Sequence, residues 1–234
     1  MSHLTGKERS RHVREMFERI APRYDLMNGV MTLGQDMRWR REAIRRLQVR
    51  PGTVVLDVGA GTGDIAFEIA RKHPDTLVVA FDFTLNMIRV GKERQGGEGV
   101  VWVVADAQQL PFGKESVSGV ISGFLLRNVP DIGRTLKEHA RVLRPGGRAV
   151  SLDTTPPRRN LLRPFLEFYL HRVVPFMGRL LAGDTEAYTY LPNSTEGFLP
   201  AEALAERFRE AGMEKVGFVR RMFGVIGIHW CEKS

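Results

Sequence analysis

From residue 53 onwards, segments with the composition of buried strands alternate with segments of helical periodicity. Five stretches are rich in valine and other aliphatic residues: 53–58, 76–82, 100–105, 117–122 and 147–153. Helical segments lie between them, near 63–72, 85–94 and 131–143, and a turn at 144–147 closes the last one. Nearly continuous apolar strands separated by helices are typical of a parallel sheet with both faces covered. The pattern predicts an α/β fold with a doubly wound, mostly parallel sheet.

Two helices are predicted before this core. Apolar residues recur at helical spacing in 7–20, and a second helix is predicted around 36–48. Pro22 and the pair Asn28-Gly29 predict a break between them.

More elements follow the core. Residues 158–182 are predicted to form a helical insertion, with Pro164 and Pro175 as kinks or boundaries. A helix near 200–212 precedes two strand-like stretches, 214–221 and 223–231. If these two pair as a hairpin, they add an antiparallel element to the sheet edge.

The composition is that of an ordinary globular protein, with 43% hydrophobic and 26% charged residues. The single cysteine, Cys231, excludes a disulfide framework within the chain. No apolar run approaches the roughly 20 residues that span a bilayer, and the first residues lack the apolar core of a signal peptide. We therefore expect a cytoplasmic protein.

The net charge of +8, from 35 Lys and Arg against 27 Asp and Glu, leaves three interpretations open. The excess can belong to a solvated surface, to a surface that contacts an anionic membrane, or to one that binds nucleic acid. Arginines dispersed through helical patterns favour the first of these.

Three glycines at alternate positions follow the first strand of the core. Residues 54–64 are V-V-L-D-V-G-A-G-T-G-D, which places Gly59, Gly61 and Gly63 between a strand and a helix. Glycine lets the backbone turn sharply and approach a ligand closely. A tight turn without a ligand is the simpler interpretation. The spacing also differs from the G-x-G-x-x-G of dinucleotide-binding proteins.

Acidic residues follow the glycine turn and two further strands. Asp64 begins the helix after the turn and suits a cationic amine, and Asp82 can accept hydrogen bonds from ribose hydroxyls. Asp106, with the backbone of Ala107, can bind an adenine. Each acid alone is more simply a helix cap. Together they predict a ligand with an adenine, a ribose and a positive charge but no phosphate, which describes S-adenosylmethionine.

Several blocks resemble the class I S-adenosylmethionine methyltransferases in order: V-L-D-V-G-A-G-T-G-D, A-F-D-F-T-L-N-M-I, V-V-A-D-A-Q-Q-L-P-F and V-L-R-P-G-G-R. The stretch 17–40 and the blocks 124–131, 186–194 and 224–229 are similar to the family that C-methylates demethylmenaquinol or its ubiquinone-pathway counterpart. The resemblance implies that the cofactor is bound by Asp57, Gly59, Gly61, Thr62, Gly63, Asp82, Phe83, Met87, Asp106, Ala107, Ser122 and Gly123.

The chain departs from the family pattern at a few positions. Leu125 stands where the family usually has glycine, and Asp153 stands where a glutamate commonly ends the strand. The S-V-S at 116–118 replaces the family's S-F-D. The first two departures lie near the expected substrate.

The resemblance also implies a division of the chain and a set of active-site residues. We expect a single methyltransferase domain over 1–234, with four parts: an N-terminal helical lid (1–50), a cofactor-binding core (51–157), a helical substrate cover (158–199) and a C-terminal helix with strands (200–234). Arg127 would stabilise a substrate oxyanion, and Asn128 would orient a water that takes the proton. The residues expected to face the substrate are Tyr24, Asp25, Asp153, Tyr188 and Tyr190.

The expected partners follow from a prenylated quinol substrate. Its tail lies in a bilayer, so we expect peripheral contact with the inner face of the membrane, with 161–182 as both cover and tail entrance. A homodimer is one of the assemblies that the sequence allows. No metal is expected, because no Cys, His and acidic cluster has ligand spacing.

Two other functions are weighed against this one. A soluble small molecule could be the acceptor, in view of the departures at Leu125 and Asp153. A nucleic-acid binder or modifier is favoured only by the charge, and the chain lacks an N-P-P-[YF]-like motif and an aromatic-and-basic recognition module. We therefore expect no nucleic-acid partner.

Overall fold

A seven-stranded sheet forms the centre of the protein. The computed structural model describes residues 6–96, 99–156, 163–177 and 185–234. The strand order is β3-β2-β1-β4-β5-β7-β6. The strands are β1 (Val54–Val58), β2 (Leu77–Asp82), β3 (Val100–Val104), β4 (Val117–Gly123), β5 (Leu143–Thr154), β6 (Met213–Arg221) and β7 (Ile226–Lys233). β1 to β5 pair in parallel, and β7 is antiparallel to both β5 and β6. The predicted α/β fold and the edge hairpin are confirmed.

Helices cover both faces of this sheet. They are α1 (Gly6–Ile20), α2 (Tyr24–Thr32), α3 (Asp36–Leu47), α4 (Asp64–Lys72), α5 (Leu85–Glu93), α6 (Ile132–Val142), α7 (Arg163–Phe168), α8 (Val174–Met177), α9 (Thr185–Glu196) and α10 (Ala201–Glu210). On one face, Ile44 of α3 and Ile69 of α4 pack on β1 and β4. On the other, Leu136 of α6 and Phe208 of α10 do the same. Burial on both faces explains why these strands are rich in valine and other aliphatic residues.

The chain reverses its direction of winding between β1 and β4. β2 and β3 follow β1 on one side, while β4 and β5 extend the sheet on the other. In open α/β sheets the crevice at such a point, beyond the carboxyl ends of the strands, is where ligands bind. The glycine turn after β1 lies there.

The turn predicted at 144–147 lies inside a strand. β5 begins at Leu143, directly after α6, and runs for 12 residues. Its pairing with β4 shifts between the pairs Val117–Leu143 and Gly119–Arg148, which is an irregular bulge. The Pro-Gly-Gly sequence therefore marks a distortion in the strand and not a loop between elements.

The break predicted at Asn28-Gly29 is also wrong. Both residues lie within α2, and the bend comes earlier, in a 3₁₀ turn over Ala21–Arg23 that contains Pro22. A glycine inside a helix costs about 1 kcal/mol relative to alanine. Tertiary contacts of α2 outweigh that preference, since Met27 is fully buried and the Tyr169 hydroxyl donates to the Met31 carbonyl.

The helical insertion is confirmed for the residues that the structure describes. α7 and α8 are joined by a π-helical turn over Tyr169–Val173. Pro164 lies in the first turn of α7, and Pro175 lies in α8 just after the π-helical turn, as predicted for boundaries or kinks. α9 follows, beyond the stretch 158–182 but inside the helical cover expected over 158–199. Residues 158–162 and 178–182 of the predicted insertion lie outside the described residues.

Candidate active site

The turn after β1 presents backbone to a cavity. Gly59, Gly61 and Gly63 all have positive φ angles, of 71°, 58° and 94°. A Cβ on Gly59 would lie 2.7 Å from the Leu125 Cδ1 atom, whereas a Cβ on Gly61 would meet only a ring carbon of Tyr24 at 3.7 Å. Gly61 therefore leaves open space above the turn. Gly63 serves packing instead, because a Cβ there would overlap the Trp102 ring at 2.6 Å.

Asp82 ends β2 beside this turn. Its carboxylate accepts backbone hydrogen bonds from Gly61 at 2.9 Å and from Thr84 at 2.8 Å. Burial raises its pKa, and the two N–H donors oppose that rise. A carboxylate has about four acceptor positions, so two stay available to a ligand. Asp82 thus fixes the turn and still faces the cavity.

A cleft of about 970 Å³, including its opening to solvent, continues from Asp82 toward β3. Phe83, Asp106 and Ala107 line it. The sequence predicted an adenine contact for Asp106 and Ala107 and a cofactor contact for Phe83. Asp106 is exposed and accepts from the Gln108 N–H. The neighbouring pocket of about 400 Å³ is lined by Gly59, Gly61, Met87 and Gly123, among others.

Asp57 and Ser122 lie beneath this region and not on its surface. Both are fully buried, and neither lines the two cofactor cavities described above. The Asp57 Oδ2 atom accepts from the Ala66 N–H of α4, and burial raises the pKa of Asp57 to about 7. The Asp57 bond therefore joins the end of β1 to α4 from below.

A network of charges connects the N-terminal helices to the glycine turn. Thr62 donates its hydroxyl to Asp25 of α2, and Arg94 forms an ion pair with Asp25 at 2.9 Å. Arg94 also contacts Asp64 at 2.8 Å, and Arg40 reaches the other oxygen of Asp64 at 3.4 Å. Asp64, which was predicted to suit the cationic amine of a ligand, is thus paired with two guanidinium groups. Asp25, predicted to face the substrate, contacts the cofactor turn.

A second link comes from α1. The Glu18 carboxylate accepts the backbone N–H groups of Leu85 and Asn86, at 3.0 and 3.1 Å. It therefore caps α5 in place of Thr84, whose side chain makes no cap bond. The contact sets α1 over the same strand end as Asp82.

A separate cavity lies on the other side of Tyr24 and Phe124. It encloses about 900 Å³ including its opening, and both residues also line the cofactor pocket. Its wall is mainly apolar, with Met31, Trp39 and Val225 as examples. The two cavities therefore meet at Tyr24 and Phe124, where a methyl group could pass from one ligand to the other.

Arg127 is the cationic group in this wall. Its Nη1 atom donates to the Asp153 Oδ1 atom at 2.6 Å, and its backbone N–H donates to Oδ2 at 3.3 Å. Asp153 is 1% exposed, so its carboxylate faces Arg127 and not the cavity. Burial raises the pKa of Asp153, while Arg127 opposes the rise. The pair keeps the guanidinium at one place in the wall.

Phe124 lies between two guanidinium groups. Arg40 and Arg127 approach its ring to 5.4 and 5.1 Å from the centroid, within the range of cation–π contacts. Its φ of 59° is unusual for a residue of this size. Phe124 belongs to the block 124–131 that also contains Arg127. The sequence did not predict that it lies where the two cavities meet.

Asn128 lies at the cofactor side of the junction. Its Nδ2 atom donates to the Phe124 carbonyl at 3.0 Å, and its Oδ1 atom accepts from the Tyr190 hydroxyl at 3.1 Å. Tyr190 comes from α9, so the insertion positions a residue of the core. Tyr188 lies on the same helix, but its side chain is outside the part of the chain that the structure describes.

The family model of the ubiE/COQ5 methyltransferase family matches residues 5–233. The chain belongs to this family. A ubiquinone/menaquinone biosynthesis C-methyltransferase from Desulfotalea psychrophila is 48% identical over 94% of this chain and 90% of its own length. A demethylmenaquinone methyltransferase from Roseiflexus castenholzii is 43% identical over 95% of this chain and 93% of its own. The predicted family is confirmed.

Solved methyltransferases share the fold at low identity. A S-adenosylmethionine-dependent methyltransferase from Thermotoga maritima covers 95% of this chain and 100% of its own, with a TM-score of 0.63 and 19% identity. A phosphoethanolamine N-methyltransferase from Haemonchus contortus, in complex with S-adenosylmethionine, has a TM-score of 0.63 and 16% identity and covers 83% of this chain and 52% of its own. The family and this fold make the protein a S-adenosylmethionine-dependent methyltransferase.

The residues of the ubiE/COQ5-type site fit that cofactor. The free face of Gly61, the remaining acceptor positions of Asp82 and the cleft along Phe83 and Asp106 suit a methionine chain, a ribose and an adenine. Within the described ranges, no three His, Cys, Asp or Glu residues are grouped as metal ligands. No helix in those ranges has the length and apolarity to cross a membrane.

Proposed function

We propose that the protein transfers a methyl group from S-adenosylmethionine to a ring carbon of a prenylated quinol, demethylmenaquinol or a related ubiquinone precursor, in respiratory quinone biosynthesis. The names of its relatives support this acceptor. The observation that carries the proposal is the apolar cavity with Arg127 in its wall, which meets the cofactor pocket at Tyr24 and Phe124.

The bound cofactor supplies a methyl group on a positively charged sulfur. A ring carbon attacks it best when the neighbouring phenol has lost its proton, because the oxyanion pushes electron density onto that carbon. A quinone carbon is electrophilic, so only the reduced quinol is a competent acceptor. The chain has to hold the two ligands in line and stabilise the oxyanion.

Arg127 performs the second task in this proposal. A guanidinium stays protonated at neutral pH, so Arg127 acts as a fixed positive charge and not as a base. Asp153 positions it through the 2.6 Å bond. Asp153 therefore has a positioning role behind Arg127, in place of the substrate contact that the sequence predicted.

Tyr24 and Asn128 complete the site at the junction. Burial raises the pKa of Tyr24, so its hydroxyl keeps its proton and is a donor to an oxygen of the acceptor. Asn128 is held by Phe124 and Tyr190, and the second lone pair of its Oδ1 atom can orient a water that takes the phenolic proton.

A soluble acceptor is the second candidate, and the structure gives it little support. Leu125 lies over Gly59 in the cofactor region, and Asp153 lies behind Arg127. Neither residue lines the apolar cavity. The two departures from the family pattern therefore replace no residue that lines that cavity.

The membrane contact, the cytoplasmic location and the single-domain division remain parts of the proposal. A prenylated quinol reaches the site from a bilayer, so the protein works at the membrane surface. The homodimer stays a prediction that sedimentation would test.

The direct test is methylation of a soluble, short-tail demethylmenaquinol with labelled cofactor under reducing conditions. We expect label on the ring carbon, no product from the oxidised quinone, and full activity in the surface control Arg207→Ala, an exposed residue of α10 paired with Glu210. Cofactor binding without turnover of the quinol would overturn the assignment of the acceptor. Absence of cofactor binding would overturn the whole assignment.

A further inference from the structure

Three segments that enclose the apolar cavity also expose large apolar side chains. Among the residues that the structure describes, nine large hydrophobic residues are exposed, and five of them lie on these segments: Leu26 at 59%, Leu33 at 83%, Phe168 at 63%, Phe176 at 66% and Phe223 at 62%. Single exposed hydrophobic residues are common, but a group around one opening marks an interaction surface.

The helical cover, formed by α7, the π-helical turn and α8, has two different sides. Tyr169 and Val174 line the cavity. Phe168, Arg172 and Phe176 follow one another at intervals of one helical turn, and all three are exposed. The cover therefore separates the cavity from an outer strip that is apolar with one cationic residue.

α2 repeats this arrangement beside the cover. Asn28 and Met31 line the cavity, while Leu26 and Leu33 are exposed. The bond from the Tyr169 hydroxyl to the Met31 carbonyl, at 2.7 Å, joins α2 to the cover. The two outer strips thus belong to neighbouring segments.

Phe223 extends the surface from the turn between β6 and β7. Its neighbour Met222 lines the cavity, and Phe223 itself is exposed with a φ of 53°. Leu33 has the same unusual conformation, with a φ of 52°. Large apolar residues rarely occupy this region of the backbone map, and such exceptions cluster at functional sites.

The charge next to these residues is positive. A groove beside Phe223 is lined by Arg38, Arg41 and Arg45 of α3. Of the acidic groups nearby, Glu42 pairs with Arg221 and Glu196 with His171. No ion pair is formed by Arg45 or Arg172 within the described ranges. An apolar rim with unpaired arginines matches an anionic lipid surface.

We propose that the exposed residues of α2, the helical cover and the β6–β7 turn dock on an anionic bilayer, with the mouth of the cavity against the lipid. A prenyl tail then enters the cavity without crossing water. This role for the surface rests on the proposed quinol substrate, but binding to lipid is measurable without any substrate.

The binding test uses vesicles of phosphatidylcholine alone and of phosphatidylcholine mixed with phosphatidylglycerol. We expect the protein to sediment with the anionic vesicles, and the variant F168S/F176S/F223S to bind them at least about tenfold more weakly. The matched control is L77S/V101S, which replaces exposed apolar residues of β2 and β3, at 50% and 48% exposure. Circular dichroism and thermal unfolding of each variant establish that it is folded.

Equal vesicle binding by the wild type and the triple variant would overturn the proposal. So would equal loss in the control, or equal binding to neutral vesicles. A dimer of the wild type that the triple variant dissolves would assign the surface to a second copy of the chain instead.

Activity separates this inference from the proposed function. The triple variant should methylate a soluble short-tail quinol at the wild-type rate and a long-tail quinol in anionic vesicles at least about tenfold more slowly. If the wild type does not methylate the soluble quinol, the proposed function fails, and the vesicle binding still decides the docking surface. Equal rates of both proteins on the long-tail quinol would overturn the docking surface alone.

Discussion

The cofactor side and the substrate side of the cleft are built in different ways. On the cofactor side, the ends of neighbouring strands meet, and backbone contacts such as Gly61 N–H to Asp82 fix the geometry. On the substrate side, α2, the helical cover and the β6–β7 turn come together from distant parts of the chain. The first side follows from the topology of the sheet, whereas the second depends on side chains that pack across long sequence separations.

This contrast implies that the two sides can be damaged independently. Substitutions in the strand ends should affect stability or cofactor affinity. Substitutions in the substrate wall should affect turnover at saturating cofactor. Variants of single residues on each side can confirm or break that separation.

The largest expected effect concerns Asp57, which lies under the cofactor turn. Burial raises its pKa from 3.8 to about 7, so between those values the folded state holds the proton and the unfolded state has lost it. This contribution to stability is complete below pH 3.8 and is lost as the pH rises through about 7. At about 1.4 kcal/mol per pKa unit, this loss lowers the free energy of unfolding of the wild type by an amount on the order of 4 kcal/mol. Asp57→Asn should not show this fall.

Urea unfolding of the cofactor-free protein over this pH range measures the difference. Asp75→Asn, on the exposed loop before β2, is the matched control and should keep the wild-type pH dependence. Parallel curves for the wild type and Asp57→Asn would mean that Asp57 is ionised in the folded protein.

Arg127→Ala should affect the chemical step. Removing one group that stabilises a developing oxyanion typically costs about 100- to 1000-fold in kcat. We expect a loss of that order with cofactor affinity near the wild-type value, measured by turnover and by calorimetric titration. Asp153→Asn, which weakens the hold on Arg127, should lower kcat less. A large loss of cofactor affinity in Arg127→Ala would show that the cofactor side and the substrate side are not independent.

Asp82→Ala should have the opposite profile. Losing hydrogen bonds to a charged acceptor costs about 1.5–3 kcal/mol of binding free energy, and the rate at saturating cofactor should fall much less. The matched control is Asp131→Ala, since Asp131 caps α6 through the Arg134 N–H and lines neither cavity. Unchanged cofactor affinity would mean that Asp82 stabilises the turn and does not bind the cofactor.

Tyr190→Phe should have the smallest effect. It removes the donor that holds the Asn128 Oδ1 atom, a bond worth about 0.5–1.5 kcal/mol, so kcat should fall roughly three- to tenfold. Tyr169→Phe removes a hydroxyl in the wall of the apolar cavity, which donates to the Met31 carbonyl, and it should change KM more than kcat. The same kcat in Tyr190→Phe and the wild type would exclude a role for oriented Asn128.

The sequence predicted the cofactor side better because its information is local. Strand periodicity and the glycine spacing are enough to predict that Gly59, Gly61 and Asp82 lie together at the strand ends. Glu18 and Arg94, which connect the N-terminal helices to this side, were missed, since Glu18 contacts Leu85 across 67 positions without any local pattern. The break predicted at Asn28-Gly29 failed for the same reason, because the packing of α2 against the cover overrides local propensity.

The substrate side was predicted only in part. Arg127, Asn128, Tyr24 and Tyr190 meet near the junction, but the roles of Asp153 and Phe124 needed the three-dimensional contacts. Asp25 was expected beside the substrate and instead binds Thr62. These contacts depend on rotamers and on how segments distant in the sequence pack together. No local pattern in a single sequence predicts either.

The pH dependence of quinol methylation tests the central claim, that Arg127 in the substrate wall stabilises the oxyanion of a reduced acceptor. The measurement is kcat at saturating cofactor for one short-tail quinol, across the pH range in which the enzyme is folded, in the wild type and in Arg127→Ala. We predict that the variant is slower throughout and recovers part of its loss at high pH, where the phenol ionises with less assistance. A deficit that stays the same at every pH, or turnover of the oxidised quinone, would contradict the account.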